Sequence, residues 1–297
     1  MTKIRSGDSS MIDDRRGSGG GGMFGGGLGG GGFPIPIKAG GGVIGLIVLL
    51  ASLFLPKLLG SSQNAAGVPQ TANKSADAAD GTCSSALEQI VCGATADVQA
   101  YWQANLPRFY GTTYEPTKTV FFTGGTTTGC GQASSQTGPF YCPIDHLVYI
   151  DLGFMQALEQ QLVGKTNDLA EQYIIAHEYG HHIQNLVGIN DQVQQAQQND
   201  PGRANQYSVA MELQADCFAG MWVGDVAARG QLDSAAELKE ALDAAAGVGD
   251  DRIQQKTQGR IDKESWTHGS AEQRQTWFTR GYNSGDPKQC DTFSEVL

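Results

Sequence analysis

The distribution of apolar residues divides this chain into four stretches. Residues 1–38 are polar and then dominated by glycine, with runs at Gly19–Gly22, Gly25–Gly27 and Gly29–Gly32. Residues 39–59 turn apolar, through Val43 to Leu50 and Leu53 to Leu55, with no charge before Lys57. Residues 60–81 are rich in Ser, Asn, Ala and Thr. From residue 82 the chain carries the periodicities of a folded domain. Helical spacing covers Ser84–Val91, Thr95–Leu106, 168–186 and Tyr207–Val226, with shorter helices at Phe154–Leu162, Ser234–Ala245, Gly249–Thr257 and Ala271–Phe278. Gly188 and Asn190 are stop signals for the 168–186 helix, and Ser270 with Gln273 makes a capping box for the last. Lys118–Thr123 and His146–Asp151 read as strands, Gly124–Gly138 as a loop, and Gln192–Asn205, broken by Pro201-Gly202, as a loop or fraying helix. The class expected is α+β: a mainly helical domain with a small sheet.

The four stretches predict four roles. Glycine runs cannot offset their ordering entropy, so 1–38 is expected to be a disordered tail. It lacks the lysine of a phosphate loop and no strand precedes it, which argues against nucleotide binding. About 20 apolar residues span a bilayer, so 39–59 predicts one transmembrane helix; a buried soluble helix or a cleaved signal is the alternative. Residues 60–81 form a linker, and 82–297 form one self-sufficient domain. Lys3, Arg5, Arg15, Arg16 and Lys38 precede the apolar stretch. By the positive-inside rule the tail is then cytoplasmic and the domain lies beyond the inner membrane. A net charge of −11 with no basic patch argues against a nucleic-acid partner. Oligomeric state is not legible.

The candidate chemistry centres on His177-Glu178-Tyr179-Gly180-His181. Two histidines four apart on a helix share a face and can reach one Zn²⁺, with Glu178 as general base towards water. On the opposite side of the same helix cluster Ile175, Tyr179, Ile183, Leu186 and Val187, as a buried helix with one polar face requires. Gly180 is a poor helix former, and its position between the ligands predicts close packing on another element. His182 points about 100° away and is not expected to bind the same metal.

A catalytic zinc takes three protein ligands and an open position. The longer signature with a third histidine is excluded, because Gln184 and Val187 occupy its glycine and histidine positions. Glu212 and Asp216 lie four apart on the Tyr207–Val226 helix. Glu212 is the expected third ligand, and Asp216 the acceptor of a ligand histidine's outer N–H. The reverse assignment, with Asp216 as ligand, stays open.

The combination of H-E-x-x-H with E-x-x-x-D resembles the gluzincins, and distantly the membrane heat-shock and prenyl-protein peptidases. With Thr267-His268-Gly269-Ser270-Ala271-Glu272-Gln273-Arg274, it resembles more closely the bacterial family called putative neutral zinc metallopeptidases. The resemblance implies a zincin-like fold and a Zn²⁺-dependent endopeptidase acting on a peptide or protein substrate, anchored by one N-terminal helix. It also implies that His268 is a transition-state donor or cleft residue, that Arg274 is a structural or substrate-orienting cation, and that the His146–Asp151 strand pairs with substrate backbone. Gly269 stands where a proline often follows the histidine in the membrane peptidases.

All six cysteines follow the apolar stretch, which suits an oxidising compartment. The expected pairs are Cys83 with Cys92, Cys130 with Cys142 and Cys217 with Cys290. Two other functions use the same residues: a catalytically weak or inactive zinc-containing binding module in the envelope, and a hydrolase of non-peptide amides or esters.

Overall fold

The computed structural model describes residues 4, 9–16, 82–162, 168–232 and 235–296. The apolar stretch 39–59 lies outside them, and among the described residues no helix is long and apolar enough to cross a membrane.

The elements are β1 (Ile12–Asp14), α1 (Ala86–Tyr110), β2 (Thr119–Phe122), β3 (Gly125–Thr128), β4 (Gly131–Ser134), β5 (Phe140–Cys142), β6 (Leu147–Asp151), α2 (Leu152–Leu162), α3 (Asp168–Leu186), α4 (Ile189–Asn199), α5 (Ala204–Ala228), α6 (Ala235–Gly247), α7 (Asp250–Gln258), α8 (Ala271–Ser284) and α9 (Thr292–Val296). The domain is thus mainly helical with a small mixed sheet, in the order β1-β2-β6-β5. β1, β2 and β6 run parallel, and β5 is antiparallel to β6.

Four expectations need correction. The two helices expected over 84–106 are one, because Cys92-Gly93 lies in an otherwise apolar, buried stretch that packing keeps helical. The Gly124–Gly138 loop contains the hairpin β3–β4. Gln192–Asn205 holds most of a regular helix, α4, which buries Val193; Pro201 then opens a short 3-10 turn. Residues 9–16, assigned to a disordered tail, include β1, which adds to the edge of β2 through Ile12–Thr119, Asp13–Val120 and Asp14–Phe121. Ile4 and Ile12 are buried in the main core.

The apolar face of α3 sits where its periodicity put it, with Ile175, Tyr179 and Ile183 fully buried. A Cβ at Gly180 would lie 3.0 Å from the Ala215 Cα and 3.1 Å from its carbonyl oxygen, so the glycine lets α3 and α5 approach closely. The α5–α8 crossing is tighter still. A Cβ on Gly220 would meet the Phe278 carbonyl oxygen at 2.0 Å, and one on Gly281 would meet that of Cys217 at 1.9 Å. Helix α5 is therefore held between α3 and α8, and it carries Glu212 and Asp216 to fixed positions. Cys217–Cys290 ties α5 to the C-terminal turn; Cys83–Cys92 and Cys130–Cys142 complete the expected pairing. Ser270 and Gln273 form the predicted capping box.

Candidate metal centre

Helices α3 and α5 bring His177, His181 and Glu212 together. One ligand atom from each lies within 4.8 Å of the others, and all three residues are buried. The Glu212 carboxylate faces both imidazoles, with Oε2 3.1 Å from His177 Nε2 and Oε1 3.5 Å from His181 Nε2. Two imidazole nitrogens and a carboxylate oxygen form a donor set that suits a catalytic zinc. Among the described residues, His181 Nε2 and Glu178 Oε2 are buried without a hydrogen-bond partner. Such orphaned atoms are costly unless a partner binds there, and a divalent cation with a water beside it would satisfy both. The cluster thus fits a divalent metal.

The opposite nitrogens of both histidines are held by protein. His177 Nδ1 is 2.9 Å from Asp216 Oδ1, as E-x-x-x-D predicts. Asp216 is fully buried and also accepts from Arg274, Nε to Oδ2 at 2.7 Å and Nη2 to Oδ1 at 2.9 Å, and from the Tyr173 hydroxyl. This occupation argues against Asp216 as a metal ligand. His181 Nδ1 is 2.8 Å from Gln184 Oε1, and the Gln184 amide donates to the Met211 carbonyl at 2.7 Å and to Gln214 Oε1 at 3.1 Å. Sequence reasoning used Gln184 only to exclude a third histidine. Its position, one turn after His181 on the same face, was the signal that it supports that ligand.

The charges follow from this packing. Burial disfavours a charged His177, but Asp216 and Glu212 outweigh it and push its pKa up to about 10 in the metal-free chain. Burial would also raise the Glu212 carboxyl, yet His181 and His177 hold it well below the usual carboxylate range. Asp216 is lowered in the same way, by Arg274 and His177 against burial. Glu178 goes the other way: burial raises it, and the neighbouring imidazoles oppose this only in part. A carboxyl shifted upwards in a polar cluster is the state a proton acceptor needs near neutral pH.

His268 and Arg274 separate in space. Arg274 is buried behind His177, where it contacts Asp216, Tyr173 and the Val248 carbonyl. Of the two roles expected for it, structural or substrate-orienting, these contacts favour the structural one. His268 lies close enough to Glu212 to help keep that carboxylate charged. Its Nδ1 is 3.0 Å from Asp250 Oδ1, and Asp250 Oδ2 accepts the main-chain N–H groups of Thr267, His268 and Gly269. Asp250 escaped the sequence reading because it is distant in sequence from the motif it supports. Gly269 has φ +85°, a conformation that explains a glycine at that position.

His182 binds away from the cluster, with Nδ1 3.1 Å from the Tyr141 hydroxyl and Nε2 2.7 Å from the Glu115 carbonyl. Burial lowers its pKa to about 4, so Nε2 carries the proton as a neutral donor. The expectation that His146–Asp151 is the strand at the cleft needs correction. That strand, β6, is enclosed between β2 and β5. The edge strand beside the centre is β5, whose main chain at Tyr141 lies close enough to Glu178 to oppose slightly the upward push of burial on its carboxyl. β6 misled because its Val148, Tyr149 and Ile150 make the stronger apolar signal, whereas β5 is only Phe140–Cys142.

The sequence matches the family described as Putative neutral zinc metallopeptidase over residues 1–293. It is 41% identical over 291 residues to Uncharacterized protein YpfJ of Escherichia coli (strain K12), covering 98% of each chain. It is 47% identical over 206 residues to Uncharacterized protein Rv2575 of Mycobacterium tuberculosis (strain ATCC 25618 / H37Rv), covering 66% of this chain and 67% of that one. No solved structure matches. His177-Glu178-x-x-His181 together with Glu212 matches a gluzincin-type active site.

Proposed function

The chain belongs to the Putative neutral zinc metallopeptidase family, and from that membership we propose that it is a membrane-attached, zinc-dependent endopeptidase of the bacterial envelope. The observation that carries the reading is the meeting of His177, His181 and Glu212 within 4.8 Å, with the orphaned Glu178 Oε2 beside them. His177, His181 and Glu212 hold the metal. Bound zinc supplies Lewis acidity, acidifying water and polarising a scissile carbonyl.

The protein's own groups do the rest. Glu178, raised by burial, takes the proton from the attacking water at its free Oε2 and returns it to the leaving amine. Asp216 and Gln184 keep the outer N–H of His177 and His181 directed away from the metal, so that each ligand presents the correct nitrogen. His268, oriented by Asp250, donates to the oxyanion as it develops. Arg274 is a positioning residue acting through Asp216. Among the described residues β5 pairs only with β6, so its outer edge can take an extended peptide beside Glu178.

Three disulfides support a domain that works outside the cytoplasm, and the apolar residues 39–59 support attachment to the membrane. A structural zinc site is closed by four protein ligands. Only three candidates cluster among the described residues, and Asp216 is occupied by other partners, which favours an enzyme over an inactive binding module. The test is metal content. Purified protein should hold one zinc per chain, and His177→Ala, His181→Ala and Glu212→Ala should each lose it; full occupancy in all three variants would refute the ligand set.

A further inference from the structure

Five basic residues before the apolar stretch predicted a cytoplasmic tail, but two of them, Arg15 and Arg16, are engaged by the domain. Arg16 pairs with Asp14 and with Glu88 of α1, and its guanidinium lies 5.2 Å from the centre of the Phe121 ring on β2. The Arg15 main-chain N–H donates to the Phe121 carbonyl at 2.9 Å, and its guanidinium lies 5.6 Å from the Tyr149 ring centre on β6. Glu88 also accepts from the Ser84 and Ser85 N–H groups, in the turn closed by Cys83–Cys92. The Ile4 carbonyl accepts from the Gln172 amide of α3 at 3.0 Å, and Met11 touches Gln99 of α1.

These contacts come from the sheet, from helices α1 and α3 and from a disulfide-closed turn. A strand cannot hydrogen-bond a sheet across a bilayer. We propose that Ile4 and residues 9–16, with the strand β1, are an integral part of the peptidase domain and lie on the same side of the membrane as it does. Whatever path residues 17–81 follow, both of their ends are then on one side, and a cytoplasmic tail with an external domain is not this protein's topology. The edge of β2, which would otherwise present unpaired main-chain groups, is covered by the chain's own N-terminal segment.

The described cysteines are all disulfide-bonded, so a new cysteine reports alone. The full-length chain, in intact Gram-negative spheroplasts, is treated with a membrane-impermeant maleimide as Ser9→Cys and, separately, as Lys256→Cys on α7; both positions are exposed. The two should label alike, before or after detergent. Labelling of Lys256→Cys in intact spheroplasts with Ser9→Cys reached only after detergent would overturn the proposal. As a second measurement, hydrogen exchange on the purified unmutated chain should slow the Arg15 amide, which donates to the Phe121 carbonyl, at least tenfold against an unstructured peptide of the same sequence; unprotected exchange at that amide would also overturn it. Neither readout uses zinc or activity, so failure here is separate from failure of the peptidase assignment.

Discussion

Arg274 grips Asp216 with two hydrogen bonds, 2.7 Å from Nε and 2.9 Å from Nη2, and Asp216 in turn holds His177 Nδ1 at 2.9 Å. Of the two roles the sequence left open for this cation, structural or substrate-orienting, these contacts favour the first. Arg274→Lys removes the two-pronged contact and leaves the charge. Zinc affinity should fall about 10–100-fold, measured by competition with a chelator, while KM for a peptide assayed at saturating zinc stays within about twofold. Unchanged zinc affinity with a raised KM would return Arg274 to the substrate.

The supporting residues were legible in proportion to how local they are. Glu212 and Asp216 declared themselves by a spacing of four on one helix, and the buried face of α3 by its period. Gln184 was equally local but was read only as a missing histidine. Asp250 and Tyr173 were not legible, because the contacts that recruit them depend on the packing of α7 and α3 against other elements. The strand β1 was hidden for a different reason: a single apolar residue, Ile12, in a polar stretch is too little signal for a strand, and the sheet edge it joins is specified elsewhere in the chain.

Asp250 and His268 give the second prediction. Asp250→Asn keeps the shape but weakens the hold on His268 Nδ1 and on three main-chain N–H groups. We expect kcat to drop about 10- to 100-fold with zinc content retained and KM little changed. An equal loss in zinc content would make Asp250 a folding residue instead.

The α5–α8 contact should be intolerant of a single methyl group. Gly281→Ala places a Cβ 1.9 Å from the Cys217 carbonyl oxygen, a clash that only a shift of the helix backbones can relieve. Overpacking of this kind costs about 3 kcal/mol or more, a Tm loss of at least about 6 °C for a domain of this size. Serine at Gly259, whose left-handed conformation has open space around it, should cost less. Equal melting temperatures for Gly281→Ala and the parent chain would contradict the packing described.

Zinc and protons compete at His177. Its pKa is raised from 6.5 to about 10 in the metal-free chain, so at neutral pH it is protonated and binding releases that proton. Zinc affinity should tighten by up to about tenfold per pH unit between pH 6.5 and 10. The sign for the metal-free fold is opposite: the stability that the His177 proton contributes is complete below pH 6.5 and is lost as pH rises through about 10. Calorimetry in buffers of different ionisation enthalpy would count the protons, and no release at pH 7 would contradict this ordering.

Glu178 tests the central claim most directly. In Glu178→Gln the side chain keeps its size and its place beside His177 and His181, but Oε2 can no longer accept and return a proton. Purified in parallel with the parent chain and loaded with zinc, the variant should retain one zinc per chain while its rate of peptide cleavage falls about 10²–10⁴-fold. Undiminished cleavage by a zinc-loaded Glu178→Gln would contradict the assignment of Glu178 as the general base of a zinc peptidase.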